Sequence, residues 1–268
     1  MVIRTMKRKV RSLFQLNRNN FKTYLKNHHF YPITYSEPQD VFIAGYPKSG
    51  NTWMQNILAS IIFGIDPLFL PDRLTQELIP ETKKVVTYYK RYLSFTCFKT
   101  HDLPKPEYRK VIYLVRDGRD AMASYFAMQK ALGKRITLEN MIVEGKGIVP
   151  CKWYEHSRKW IENPFDAEII QIKYEDLLNE PKQEIKKICS FLGLDRSDVL
   201  IEKCIEGNSF KSMQKKEEIY GINNRKWNRN EKFVRKGKIG TYKTEIPEDL
   251  ITYFSNESEN ELRYFGYL

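Results

Sequence analysis

The sequence predicts an α/β domain, a central parallel sheet flanked by helices on both faces. Three observations carry that expectation. Apolar runs of strand length alternate along the chain with stretches of helical periodicity, the order that produces βαβ units. The clearest runs, "VFIAGY" (41–46) and "KVIYLVR" (110–116), are continuously apolar, as strands covered on both faces are. The first of them ends in a glycine-bordered loop, "GYPKSG" (45–50), which opens directly into a helix-like segment. That strand–loop–helix order lets backbone N–H groups converge on an anion at the helix N-terminus.

In chain order, the first 36 residues contain no Asp or Glu and carry Arg4, Lys7, Arg8, Lys9, Arg11, Arg18, Lys22 and Lys26. A transit peptide shares that composition, but Phe14, Phe21, Tyr24, Phe30 and Tyr31 favour a basic arm, residues 1–35, that packs on a single domain spanning 36–268. Strand 41–46 leads to a helix over 51–62. A short strand follows at 95–100, then strand 110–116 with a helix behind it at 118–132. Residues 151–162 read as helical, 168–177 as a strand, and 180–194 as a helix with Pro181 near its start. Residues 63–94 and 133–150 have weaker periodicity and read as loops or short helices near the site. Trp153 and Trp160, seven apart on one helical face, are expected in the core, and His28, His29 and His156 are expected to be structural.

Bulk properties bound the function. With 268 residues, 41% hydrophobic and 13% aromatic, the chain can bury a sizeable core. A formal charge of +12 points to an anionic partner: phosphates, nucleic acid or a membrane surface. No run approaches the roughly 20 apolar residues of a membrane span and no signal peptide is visible, so the expected location is cytoplasmic. Cys97, Cys151, Cys189 and Cys204 lack C-x-x-C spacing and read as free thiols. The Lys-, Asn- and Ile-heavy composition fits an AT-rich, bacterial genome.

The loop departs from the nucleotide-binding pattern G-x-x-x-x-G-K-[ST]. Gly45, Gly50 and Thr52 fall on its positions, but Asn51 takes the lysine slot and the lysine lies inside the loop, at Lys48. The strand at 110–116 ends in Arg116 where a metal-binding carboxylate is usual, which suits a second phosphate better than magnesium. The pattern therefore fits a nucleotide anion bound without metal. A P-loop kinase and a basic nucleic-acid-binding protein are the alternatives at this point.

Four stretches in register carry a resemblance to the cytosolic-type sulfotransferases, which use 3′-phosphoadenosine 5′-phosphosulfate (PAPS). "YPKSGNTW" resembles that family's 5′-phosphosulfate loop and "FKTHDLP" (98–104) its catalytic-histidine segment. "YLVRDGRDAMASYF" (113–126) resembles its 3′-phosphate strand–helix, and "RKGKIGTYK" (235–243) the C-terminal loop that closes over the same phosphate. The resemblance implies a P-loop NTPase-like fold, and PAPS as co-substrate with adenosine 3′,5′-bisphosphate (PAP) as product and no metal. It places Lys48, Ser49, Gly50, Asn51 and Thr52 around the 5′-phosphosulfate, with Lys48 on the departing bridging oxygen. His101 becomes the general base, and Lys99 stabilises the transferred group. Arg116, Ser124, Arg235, Lys236 and Gly237 hold the 3′-phosphate, and Trp53, Tyr174, Asn208 and Phe210 take adenine positions.

Some positions depart from the family. The usual Asp-Trp after RKGxxG is Thr241-Tyr242, Thr is replaced by Asn208, and Asp102 is an extra acid directly after His101. The dimerisation signature is not recognisable after Lys243, which leaves the oligomeric state open. The implied acceptor is a small molecule, a secondary metabolite for instance, with a hydroxyl as first choice and an amine or carbamate nitrogen as second. Asp102 and Glu77 would suit a cationic alkaloid, whereas Phe63, Leu68, Phe69, Tyr88 and Tyr89 would suit a phenol or steroid. Neither nucleic acid nor membrane insertion is expected.

Overall fold

The computed structural model describes residues 23–83, 87–221, 226–228 and 230–268. The basic segment before Thr23 lies outside the described residues, and with it most of the expected arm. Among the described residues six strands occur in chain order: β1 (Phe30–Pro32), β2 (Val41–Gly45), β3 (Tyr88–Lys90), β4 (Cys97–Thr100), β5 (Lys110–Val115) and β6 (Glu168–Lys173). Four of them form a parallel sheet in the order β4-β2-β5-β6.

The strand residues divide cleanly between the sheet's two faces because successive side chains point to opposite sides. Val41 and Ile43 of β2 and Ile112 and Leu114 of β5 face a core with Met54, Ile57, Leu58, Ile185 and Ile188. Phe42 and Ala44, with Val111, Tyr113 and Val115, face a second core containing Met122, Trp153, Trp160 and Phe265. Each such aliphatic or aromatic side chain contributes about 1.5–3 kcal/mol by leaving water. This two-sided burial is why β2 and β5 read as unbroken apolar runs. His156, also in the second core, lies edge-on to Tyr46 and near Tyr113 and Trp160, in the structural role expected.

The helices fall close to expectation at Asn51–Phe63, Gly118–Ala131, Trp153–Glu162 and Pro181–Leu192. Asp72–Leu78 and Leu138–Ile142 are the short helices of the two weakly periodic stretches. The segment 168–177 needs a correction: the strand stops at Lys173, and Tyr174–Asn179 is a helix with Glu175 and Asp176 in its first turn. There the chain leaves the sheet, and the acids sit well at a helix N-terminus. A second sheet went unread: β1 pairs antiparallel with β3. Its support is partly ionic, since the buried Arg91 guanidinium donates to both oxygens of Asp40 at 2.8 Å. All four cysteines are free thiols. Among the described residues no helix is long and apolar enough to cross a membrane.

Candidate active site

β2 is the pivot of the sheet. The chain leaves it to form β4 on one side and later returns to form β5 on the other. In such sheets a crevice opens beyond the carboxyl ends of the strands where the winding reverses. A cavity of about 590 Å³ lies there, lined by Lys48 after β2, Lys99 and His101 at the end of β4, Arg116 after β5 and Tyr174 after β6. Of the residues that the sequence assigned to catalysis and donor binding, all but Ser49 line it.

The loop after β2 is built on two left-handed residues, Lys48 (φ 72°) and Gly50 (φ 99°). A lysine in that region costs on the order of 1 kcal/mol, and local hydrogen bonds hold it there. The Ser49 N–H donates to the Tyr46 carbonyl at 3.1 Å, and the Asn51 Nδ2 donates to the same carbonyl at 2.9 Å. Asn51 thus fills the usual lysine slot as a buried brace of the loop. Gly45 is obligatory: a Cβ there would meet Asn51 Oδ1 at 2.7 Å and the Leu114 carbonyl at 2.9 Å. The helix that follows has no acidic residue in its first turn, so its positive end faces the cavity uncompensated. The Ser49 Oγ is buried without a hydrogen-bond partner.

The Lys48 ammonium lies 4.1 Å from the centroid of the Phe233 ring. Desolvation first, then the charges of Arg116, Lys99 and Arg235, push its pKa down to about 7, against an opposing pull from Glu217. Lys99, in extended chain two residues before His101, presents its side chain to the same cavity. Its Nζ lies 3.1 Å from Glu81 Oε2 and 3.5 Å from Thr52 Oγ1.

His101 Nδ1 is 2.7 Å from the Gly45 carbonyl. A carbonyl only accepts, so Nδ1 carries the hydrogen and Nε2 keeps its lone pair. Burial, then Lys99, lower the imidazole pKa to about 4, with the Gly45 bond, Glu81 and Asp102 pulling the other way. The ring is neutral near pH 7. Asp102 does not line the cavity. Its carboxylate accepts from Lys105 at 2.6 Å and Tyr108 at 3.1 Å and pairs with Lys83, anchoring the chain just past His101.

Arg116 joins the two loops of the site. It donates to the carbonyls of Lys48 and Lys238, each at 3.2 Å, and its guanidinium lies 4.3 Å above the Tyr174 ring. Its Nε is buried and unpartnered. The fully buried Asp120 holds the C-terminal loop, accepting from Gly240 N–H (2.7 Å), Thr241 Oγ1 (3.0 Å) and Tyr242 N–H (2.9 Å). Gly237 (φ 59°) packs so close to Phe210 that a Cβ would sit 2.3 Å from the ring. Glu217 accepts from the N–H groups of Phe233 and Val234 at 2.7 and 2.8 Å, tying that loop to the helix Phe210–Tyr220. Ser124 projects from the helix Gly118–Ala131. Trp53 meets Tyr174 edge-on and donates its indole N–H to the Asn208 carbonyl at 2.8 Å. The Asn208 amide itself turns inward, to the Cys204 carbonyl at 2.9 Å.

Two expectations about the acceptor side are corrected. Phe63, Leu68, Phe69, Tyr88 and Tyr89 do not line the cavity; that stretch contributes Asp72, Gln76, Glu81, Thr82 and Lys83. Glu77 pairs with Arg73 at the surface, so neither acid adduced for a cationic acceptor reaches the cavity. Glu81, Asp120, Glu217, Phe233 and Glu245 were not foreseen. Asp120 lay inside the stretch "YLVRDGRDAMASYF", and Phe233 and Glu245 each lay two residues outside "RKGKIGTYK"; Glu81 and Glu217 lay in none of the four stretches.

An anion-binding loop with its lysine at position 48, a neutral histidine and a lysine-rich closing loop that carries Arg235 fit a nucleotide-dependent group-transfer enzyme. The sulfotransferase domain family matches residues 38–266. Among curated proteins, sulfotransferase 1E1 of Bos taurus is 26% identical over 265 residues, covering 91% of this chain and 90% of that protein. The amine sulfotransferase of Oryctolagus cuniculus is 28% identical over 254 residues, covering 84% and 81%. Solved structures share the fold. Retinol dehydratase in complex with retinol and PAP superposes with a TM-score of 0.65 at 21% identity, covering 90% of this chain and 86% of that one. Mouse sulfotransferase SULT7A1 complexed with PAP gives 0.63 at 22% identity, covering 87% and 90%. The chain belongs to the sulfotransferase family, and that membership removes the kinase alternative.

Proposed function

We propose that this protein transfers a sulfuryl group from PAPS to a hydroxyl of a small-molecule acceptor, with His101 as general base. The observation that carries the proposal is the convergence of Lys48, Lys99, His101, Arg116 and Arg235 on one cavity at the strand ends. The residues fit the donor: an anion-accepting helix end, the unpartnered Ser49 Oγ and Arg116 Nε, and glycines whose Cβ positions are filled by neighbours.

The donor supplies an activated sulfur on a phosphate leaving group. Lys48, Ser49, Gly50, Asn51 and Thr52 would hold its 5′-phosphosulfate, and Arg116, Ser124, Arg235, Lys236 and Gly237 its 3′-phosphate. A guanidinium grips a phosphate in two-pronged fashion, which gives Arg116 its specificity. Trp53, Tyr174 and Phe210 would enclose the adenine. His101 Nε2 takes the proton of the acceptor hydroxyl as the oxygen bonds to sulfur. Lys48 neutralises the charge gathering on the bridging oxygen as the old S–O bond breaks, and Lys99 steadies the sulfuryl oxygens. Positioning and fixed charge carry such transfers.

Titration calorimetry with PAP tests the assignment: wild-type protein binds it and Arg116→Ala abolishes binding. Incubation with PAPS and a metabolite library, read by mass, identifies the acceptor. Failure of the wild-type protein to bind PAP would refute the proposal.

A further inference from the structure

Three cations of this site, Lys99, Arg235 and Lys236, are engaged by carboxylates of the protein itself. At one end, Glu81 Oε2 holds the Lys99 ammonium at 3.1 Å, the two side chains 17% and 8% exposed. This carboxylate is not a mobile surface partner. Glu81 forms a parallel β-bridge with Lys99; the Lys99 N–H donates to the Pro80 carbonyl at 2.8 Å and the Thr82 N–H to the Lys99 carbonyl at 3.0 Å. The pair is therefore fastened to one edge of the sheet, with Thr52 and His101 on the same cavity wall. At the other end, Glu245 Oε1 pairs with Arg235 at 2.8 Å and with Lys236.

We propose that Glu81 is a positioning residue that competes with the sulfuryl group for Lys99, and so sets the affinity of PAPS relative to PAP. The inference rests on the donor assignment above. In the free protein the Lys99 ammonium is held by Glu81 at 3.1 Å, so to meet an incoming sulfuryl oxygen it must loosen that ion pair. The attraction given up is subtracted from what Lys99 contributes to PAPS binding. PAP lacks the sulfuryl group and does not meet Lys99, so Glu81 leaves it untouched. Arg235 and Lys236 face the 3′-phosphate, which both nucleotides carry, so Glu245 weakens both alike. Once transfer is complete, Lys99 returns to Glu81 and contributes nothing to holding the product.

The test is titration calorimetry of PAPS and PAP, without acceptor, against wild-type, Glu81→Gln and Glu245→Gln proteins. Glu81→Gln is expected to tighten PAPS roughly fivefold, the scale of a partly exposed ion pair, while PAP affinity stays the same. Glu245→Gln tightens both by the same factor. Placed in a Lys99→Met background, Glu81→Gln no longer changes either affinity, because the competition it relieves is gone. A purely structural role would move both ligands and the melting temperature together. The inference is overturned if Glu81→Gln shifts PAP as much as PAPS, leaves PAPS unchanged or weaker, or keeps its effect without Lys99. If wild-type protein binds neither nucleotide, the donor assignment falls, and this inference with it.

Discussion

Lys48 offers a proton-counting experiment. Its ammonium is desolvated and hemmed in by Arg116, Lys99 and Arg235, which pushes its pKa down to about 7. About half of the protein then carries charge at this position at pH 7, and about a tenth at pH 8. A 5′-phosphate against the ammonium restores the ordinary lysine range, because an adjacent opposite charge favours the protonated form. The sign follows: a group with its pKa lowered in the free protein and raised in the complex takes up a proton on binding. Binding therefore weakens as pH rises past about 7.

The expected uptake is about 0.5 proton at pH 7 and about 0.9 at pH 8, and apparent PAP affinity falls roughly fivefold between the two. Calorimetric titration at pH 8 in buffers of different ionisation enthalpy reads the proton count as the slope of the binding enthalpy. At that pH the ligand's phosphates are already ionised, their second pKa being about 6. Lys48→Met should give a slope near zero, although it binds more weakly. A flat slope in the wild-type protein would refute the placement of Lys48 against the 5′-phosphate.

His101→Ala is expected to lower kcat by roughly 10²–10⁴ while leaving PAP affinity within about twofold, measured by steady-state rates and calorimetry on one preparation. The acid limb of kcat/KM should fall near pH 4 in place of the usual histidine range near 6.5, since protonation at about 4 is what removes the Nε2 lone pair. Asp120→Asn keeps the shape but offers an amide to the donors of Gly240, Thr241 and Tyr242. Urea unfolding should show a loss of about 1–3 kcal/mol, together with weaker PAP binding because the loop carrying Arg235 and Lys236 loses its anchor.

The phosphate loop was legible in the sequence because its constraints are local. Gly45 and Gly50 answer to their own backbone and nearest neighbours, and Lys48 sits between them on a turn of fixed length. The strands of the central sheet were legible because burial on both faces leaves an unbroken apolar run. Lys99 and His101 were picked out by the resemblance of "FKTHDLP", and extended-chain spacing put them on one side. The break at Lys173, where a strand turns into the helix Tyr174–Asn179, was misread because the run beyond it stays partly apolar. The pairing of Phe30–Pro32 with Tyr88–Lys90 joins short segments nearly 60 residues apart, and three-residue strands leave no periodicity to read.

What the sequence by itself determined is the sheet, the loop after its second strand and the family to which the residues belong. What only the tertiary structure decided is which charges meet. Glu81 reaches Lys99 through a β-bridge across 18 positions, and Glu217 reaches Phe233 and Val234 across 16 and 17. The aromatic residues of 63–94 expected at an acceptor pocket lie away from the cavity, and that stretch supplies Asp72, Gln76, Glu81, Thr82 and Lys83 to its wall. The physical reason is the same in each case. A local backbone requirement is written in adjacent residues, whereas an ion pair or a cavity wall is settled only when packing brings distant segments to one place.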